Sequence, residues 1–77
     1  MSLLENTDKI HTTQMGVGRI KRNLKLDTDD VVGYCISKIK DKNIKISRKG
    51  KNYYVEADGC IITVNASSYT IITAHLK

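Results

Sequence analysis

The sequence predicts an α+β fold: two or three N-terminal helices packed on one face of a four-stranded antiparallel β-meander. Three observations carry that expectation. Apolar residues recur at helical spacing up to about residue 42, the spacing changes to every second residue from Asn43 onward, and Asp58-Gly59 stands between two alternating runs. The 77 residues form a single domain, with helices over about residues 2–42 and sheet over about 43–76.

The first element is a short helix over residues 1–10, capped by Ser2 with Glu5 three positions on, the spacing of a capping box. Leu3, Leu4 and Ile10 are its core contacts. His11-Thr12-Thr13 interrupts, and either threonine can accept the first free amides of a second helix running to about Leu24. Val17, Ile20 and Leu24 share one face, with Arg19 and Arg22 opposite them. Gly16 and Gly18 weaken that helix, so a close approach is expected there. The third helix runs from Asp27 or Thr28 to about Lys42, with Val31, Val32, Cys35, Ile36 and Ile39 as its buried stripe. Asp29 and Asp30 in its first turn, and Lys38, Lys40 and Lys42 in its last, complement the helix dipole.

Ile44 and Ile46 then alternate with Lys45 and Ser47, and Tyr53, Val55 and Ala57 alternate with Tyr54 and Glu56. A two-residue turn at Asp58-Gly59 pairs Ala57 with Cys60, Val55 with Ile62, Tyr53 with Val64, Glu56 with Ile61 and Tyr54 with Thr63. A four-residue turn at 48–51 pairs Ile46 with Tyr53 and Ile44 with Val55, on the same core surface. For the last connection, a three-residue loop Ala66-Ser67-Ser68 pairs Val64 with Thr70 and Ile62 with Ile72. That register buries Ile72, Ala74 and Leu76 and sends Tyr69, Thr73 and His75 to the open face; a four-residue loop starting at Asn65 reverses this. The open face then carries Lys45, Asn52, Tyr54, Glu56, Ile61, Thr63, Asn65, Tyr69, Ile71, Thr73 and His75.

A chain this short buries only about 60% of the surface its unfolded form exposes, so the core must be shared by every element. It holds no Phe, Trp or Pro. Thirteen Lys and Arg against eight Asp and Glu give a net charge of +5, which favours polyanionic partners. The windows Arg19, Lys21, Arg22, Lys25 and Lys45, Arg48, Lys49, Lys51 concentrate eight of those cations without an acid among them. Cys35 and Cys60 lack the spacing of a zinc site and read as buried, reduced thiols. No metal or other cofactor is expected. No apolar run reaches the roughly 18 residues of a membrane span, and the N-terminus lacks a basic region followed by an apolar run, so a cytoplasmic protein is the expectation.

The sequence carries two family resemblances. The run from Lys9 to Lys25, the Arg48-Lys49-Gly50-Lys51-Asn52-Tyr53-Tyr54 segment and the Ile62-Thr63-Val64-Asn65 and Tyr69-to-His75 segments resemble a small family of uncharacterised bacterial proteins, known only as a domain of unknown function. More distantly, helices followed by four strands with a Thr-Val-Asn…Thr-Ile-Ile-Thr-Ala ending are similar to the barnase, EndoU, colicin D and RelE type of ribonuclease fold found in bacterial toxins. That second resemblance implies metal-independent RNA cleavage on the open sheet face, with a group near the end of the last strand taking part.

On that reading His75 is the acid or base, because its ordinary pKa lies near neutrality. Thr73 binds a phosphate oxygen and Arg19 supplies fixed positive charge. Arg22, Tyr54, Lys45, Thr63 and His11 contact the substrate, Tyr54 by stacking a base. Barnase-like general-base chemistry would have to use Glu56, the one acid on the open face. Plainer roles stand beside these: a surface position for His75, a helix-start bond to backbone for His11, and a solvated helix face for Arg19 and Arg22. The leading expectation is an RNA-binding protein with toxin-like endoribonuclease activity. The competing one is a non-enzymatic interaction module or homodimer whose open face, with Ile61, Ile71, Tyr54 and Tyr69, meets a protein partner.

Overall fold

The structure, a computed structural model, describes residues 3–41, 43–57 and 59–77. Its order is a 3-10 segment Leu3–Lys9, helices α1 (Gln14–Leu24) and α2 (Val31–Ile39), then strands β1 (Lys45–Lys49), β2 (Asn52–Ala57), β3 (Cys60–Asn65) and β4 (Ile71–Leu76). The strands form one antiparallel sheet in the order β1-β2-β3-β4, the predicted meander. The expected Ser2 cap lies outside the described residues.

The N-terminal segment buries Leu3 and Asn6 and leaves Leu4 exposed, so only Leu3 and Ile10 join the core. Residues 10–12 then run beside the start of β4: the His11 amide donates to the Tyr69 carbonyl (3.1 Å) and the Ile71 amide to the His11 carbonyl (2.7 Å). Thr13 caps α1, its hydroxyl accepting from the Gly16 amide at 3.0 Å. The expected close approach is real at Gly16, where a Cβ would collide with Thr12 Oγ1. Gly18 has open space. Lys25 closes α1 in the left-handed conformation (φ 56°), with the Leu26 amide reaching back to the Lys21 carbonyl.

Helix α2 is shorter than its periodicity suggests. The Thr28 hydroxyl accepts the Asp30 amide (3.1 Å), and the Asp30 carboxylate accepts the Gly33 amide (3.1 Å), so residues 27–29 form a turn and Asp30 is the cap. Asp29 stands outside the helix and pairs with Lys21 of α1 at 2.6 Å. At the other end the Asp41 side chain accepts the Asn43 amide and stops the helix near Lys40; Lys42 lies outside the described residues.

The β2–β3 register is the predicted one at every position, with Gly59 at φ +74°. Asp58 lies outside the described residues. The other two hairpins correct the prediction. Strand β1 runs on to Lys49, pairing Ile46 with Val55 and Arg48 with Tyr53, so the connection is only Gly50-Lys51. Gly50 makes this possible at φ +61°, as a glycine-first two-residue turn requires. The shift is two residues, so every β1 side chain keeps its face.

The β3–β4 loop is residues 66–69, one longer than predicted. The Asn65 side chain accepts the amides of Ser67 and Ser68 (2.9 and 3.0 Å), Tyr69 turns left-handed (φ 59°), and the Asn65 amide meets the Thr70 carbonyl at 2.8 Å. Val64 therefore faces Ile71. A bulge follows, after which Thr63 faces Thr73, Ile62 faces Ala74, Ile61 faces His75 and Cys60 faces Leu76. The longer loop reverses the predicted roles of two isoleucines, Ile71 being 1% exposed and Ile72 42%, and the bulge returns Thr73 and His75 to the open face. Leu76, expected in the core, is 45% exposed.

One core results, from Leu3, Ile10, Ile20, Leu24, Val31, Cys35, Ile39 and the inward residues of β2, β3 and β4. Helix α1 lies against β4 and α2 against β2, both on that face.

Candidate nucleic-acid interface

A strand's period of two and the two corrected registers together define the open face. Three cross-strand rows cover it: Lys45–Glu56–Ile61–His75, Ser47–Tyr54–Thr63–Thr73, and Lys49–Asn52–Asn65. Of the residues singled out from the sequence, Lys45, Tyr54, Thr63, Thr73 and His75 share this face. Tyr69 and Ile71, placed there by the register of the three-residue loop, do not. Ser47 and Lys49 join it instead, and the signal that could have placed them was Gly50 as the first residue of a two-residue hairpin.

Thr63, in a central strand, is 7% exposed, while Tyr54 is half-buried, its hydroxyl 3.5 Å from the Asn52 side-chain nitrogen that points to it. Glu56 is the face's single acid among the described residues, and Lys77 pairs with it at 3.1 Å. Net positive charge therefore remains at Lys45 and Lys49. His75 is exposed beside the Thr73 strand position, and Glu56 lies in its row two strands away, about 10 Å by strand spacing. No enclosed cavity opens among the described residues.

Arg19 and Arg22 are not part of this constellation. Helix α1 buries Gly16, Ile20 and Leu24 against the core face of the sheet, which turns both arginines to solvent on the far side from Thr73 and His75. His11 sits at the β3–β4 turn, outside the rows. Its Nδ1 donates to the Lys9 carbonyl at 2.9 Å, so Nε2 is left to accept from the Thr70 hydroxyl at 3.1 Å; Ser68 Oγ lies 2.8 Å from that hydroxyl. This chain of bonds ties the N-terminal segment to the start of β4.

Both thiols are free and buried. Burial, helped by the neighbouring Cys60, pushes the Cys35 thiol up to about 12, so it is neither a nucleophile nor a ready metal ligand at neutral pH. Lys21 holds the Asp29 carboxyl below its ordinary value through their hydrogen bond and charge. Among the described residues no three His, Cys, Asp or Glu gather where they could hold a metal ion, and no helix is long and apolar enough to cross a membrane.

A family model described as "Protein of unknown function (DUF3781)" matches residues 4–75. The chain belongs to that family. The match spans the 3-10 segment from its second residue, both helices and all of the sheet except the last residue of β4. Neither the curated proteins nor the solved structures offer a match, and the likeness to toxin ribonucleases gains no support from them.

Proposed function

We propose that this DUF3781 domain binds single-stranded RNA across the open face of its sheet. The observation that carries the reading is the face itself: a half-exposed tyrosine ringed by hydroxyl and amide side chains, with Lys45 and Lys49 on one side and its lone acid already paired to Lys77. Phosphates would lie along Lys45 and Lys49, about 13 Å apart on one strand edge. A base would stack on Tyr54, and Ser47, Asn52 and Thr73 would meet base edges and 2′-hydroxyls.

His75 and Thr73 stand at the β4 end of this track. In a cleavage reaction His75 would move the proton of the 2′-hydroxyl or the leaving oxygen, and Thr73 would hold a phosphate oxygen. Arg19 and Arg22 would contact only RNA that continued around to the helix side.

Anisotropy of a labelled RNA oligomer, titrated at several salt concentrations, tests binding. Lys45, Lys49 and one turn cation give about three phosphate contacts, hence a log–log salt slope near −2 and a roughly 20-fold loss between about 50 and 200 mM salt. Lys45→Ala with Lys49→Ala should flatten the slope by about 1.4. No binding even at low salt would refute the RNA reading and favour a protein partner, and binding that ignores the double substitution would remove the open face as its site. Incubation with RNA in excess EDTA tests cleavage separately, and activity that survives both His75→Ala and Thr73→Ala would remove those residues from the site.

A further inference from the structure

We infer that β4 pairs with β4 of a second copy of this chain, joining two four-stranded sheets into one of eight. The inference does not depend on RNA binding. Its ground is the contrast between the two edges of the sheet. On β1, Lys45, Arg48 and Lys49 are three of five residues, the pattern that protects an edge strand from pairing. From Gly59 to Leu76 the chain has no Asp, Glu, Lys or Arg, and β4 exposes Ile72 and Leu76, two of the four large apolar side chains that are exposed among the described residues.

The backbone defines where such pairing can occur. Ile71 points its amide and carbonyl outward, but both are taken, by the His11 carbonyl at 2.7 Å and the Thr12 hydroxyl at 3.0 Å. At the other end the Lys77 amide turns inward to the Gly59 carbonyl at 2.9 Å. Antiparallel alternation then turns the amides and carbonyls of Ala74 and Leu76 away from β3. Among the described residues nothing pairs with them. The open ladder is thus residues 72–76, and its midpoint is Ala74.

A two-fold axis at Ala74 uses that full length. Ala74 exchanges both hydrogen bonds with Ala74 of the other copy, Ile72 comes opposite Leu76, and Thr73 opposite His75. An interface of this kind is isologous and closes after two copies. Like charges do not oppose it, since the nearest cation, Lys77, is held by its own Glu56. Stable dimers bury at least about 1,200 Å² in total, and a five-residue ladder lies below that, so a concentration-dependent equilibrium is expected.

Sedimentation equilibrium of the intact protein across concentration tests the inference. The mass should rise from 8.6 kDa toward twice that value. Ile72→Lys with Leu76→Lys, both at exposed positions, should hold it at the monomer mass, whereas Leu4→Lys with Met15→Lys, the other exposed apolar pair, should leave dimerisation unchanged. Hydrogen exchange on the unaltered protein gives a readout free of folding effects: the Ala74 and Leu76 amides should gain protection as concentration rises. A monomer at every concentration, a dimer indifferent to the β4 substitutions, or Ala74 and Leu76 protection that does not change with concentration would each overturn the proposal.

Discussion

Exchanging Ile71 for alanine and, in a second protein, Ile72 for alanine puts the register that the 66–69 loop imposes on the start of β4 to a direct test. The two substitutions delete the same atoms from adjacent positions of one strand, so unfolded-state and propensity effects nearly cancel between them. Ile71 is 1% exposed and belongs to the shared core. Removing three carbons at about 0.8 kcal/mol each gives about 2.4 kcal/mol, and the residual cavity places the loss within roughly 2–5 kcal/mol. Ile72 is 42% exposed, so a little over half of that transfer energy applies, at most about 1.4 kcal/mol, with no closed cavity to add. The gap is about 2 kcal/mol. For a domain of this size each kcal/mol moves the midpoint by roughly 4–8 °C, so the Ile71→Ala protein should melt about 8–16 °C below the Ile72→Ala protein. Thermal unfolding followed by circular dichroism reads this difference. Equal midpoints, or a lower one for Ile72→Ala, would show that β4 follows the register of the three-residue loop, with Ile72 inside.

Four further outcomes follow from local structure. Gly18→Ala, in an exposed helical position with open space around it, should stabilise by about 0.5–1 kcal/mol; Gly59→Ala, at φ +74°, should destabilise by about 1–2 kcal/mol from backbone strain alone, both read from denaturant midpoints. Because burial pushes the folded Cys35 thiol up to about 12 while the unfolded one keeps its ordinary value of 9.0, its contribution is fully present below pH 9 and falls between these values as the unfolded chain loses a proton first. Stability should drop by up to about 1.4 kcal/mol per pH unit there, and Cys35→Ala should flatten that fall relative to the parent. Deleting one of the adjacent isoleucines at 71 and 72 removes the extra residue of the bulge and leaves a regular ladder, so the shortened chain should still fold with Thr73 and His75 on the open face; loss of the folded state in its circular dichroism would contradict this.

Much of this fold could be read from residue order because its turns are chemically explicit in places. Asp58-Gly59 allowed a two-residue turn, and the β2–β3 register followed without error. Arg48-Lys49-Gly50-Lys51 misled because four polar or flexible residues look like a loop, although charged side chains are also what an edge strand carries. The α2 start was ambiguous since Thr28, Asp29 and Asp30 can each cap; only the bond from Gly33 to Asp30 decides it. Asn65 hid the loop length, because its side chain builds a turn that composition does not distinguish from a shorter one. Tyr54, Thr63, Thr73 and His75 came out on one face because the β2–β3 register was right and the loop and bulge together shifted Thr73 and His75 by two residues. The separation of Arg19 and Arg22 from that face was legible in principle: a stripe of Val17, Ile20 and Leu24 that buries α1 against the core side must point the opposite side away from the sheet.

The bulge explains how a loop of one parity can coexist with strand faces of the other. Residues 66–69 place Ile71 under the helices, and a continuous ladder from there would carry Thr73 and His75 inward and Ala74 outward. Helix α1 lies directly on β4, so that arrangement would exchange a fully buried alanine for two larger polar side chains. Each group left without a partner there would cost about 1–3 kcal/mol, and the added volume would strain the packing further. Accommodating one extra residue at Ile72 costs one ladder position and a half-exposed isoleucine. Packing under α1 therefore sets the face of the strand's second half, while Asn65 sets that of its start, and the bulge is where the two meet. The same device leaves Ile72 exposed beside the open backbone of Ala74, so the residue that reconciles the register is also the one that makes this edge, and not β1, apolar enough to receive another strand.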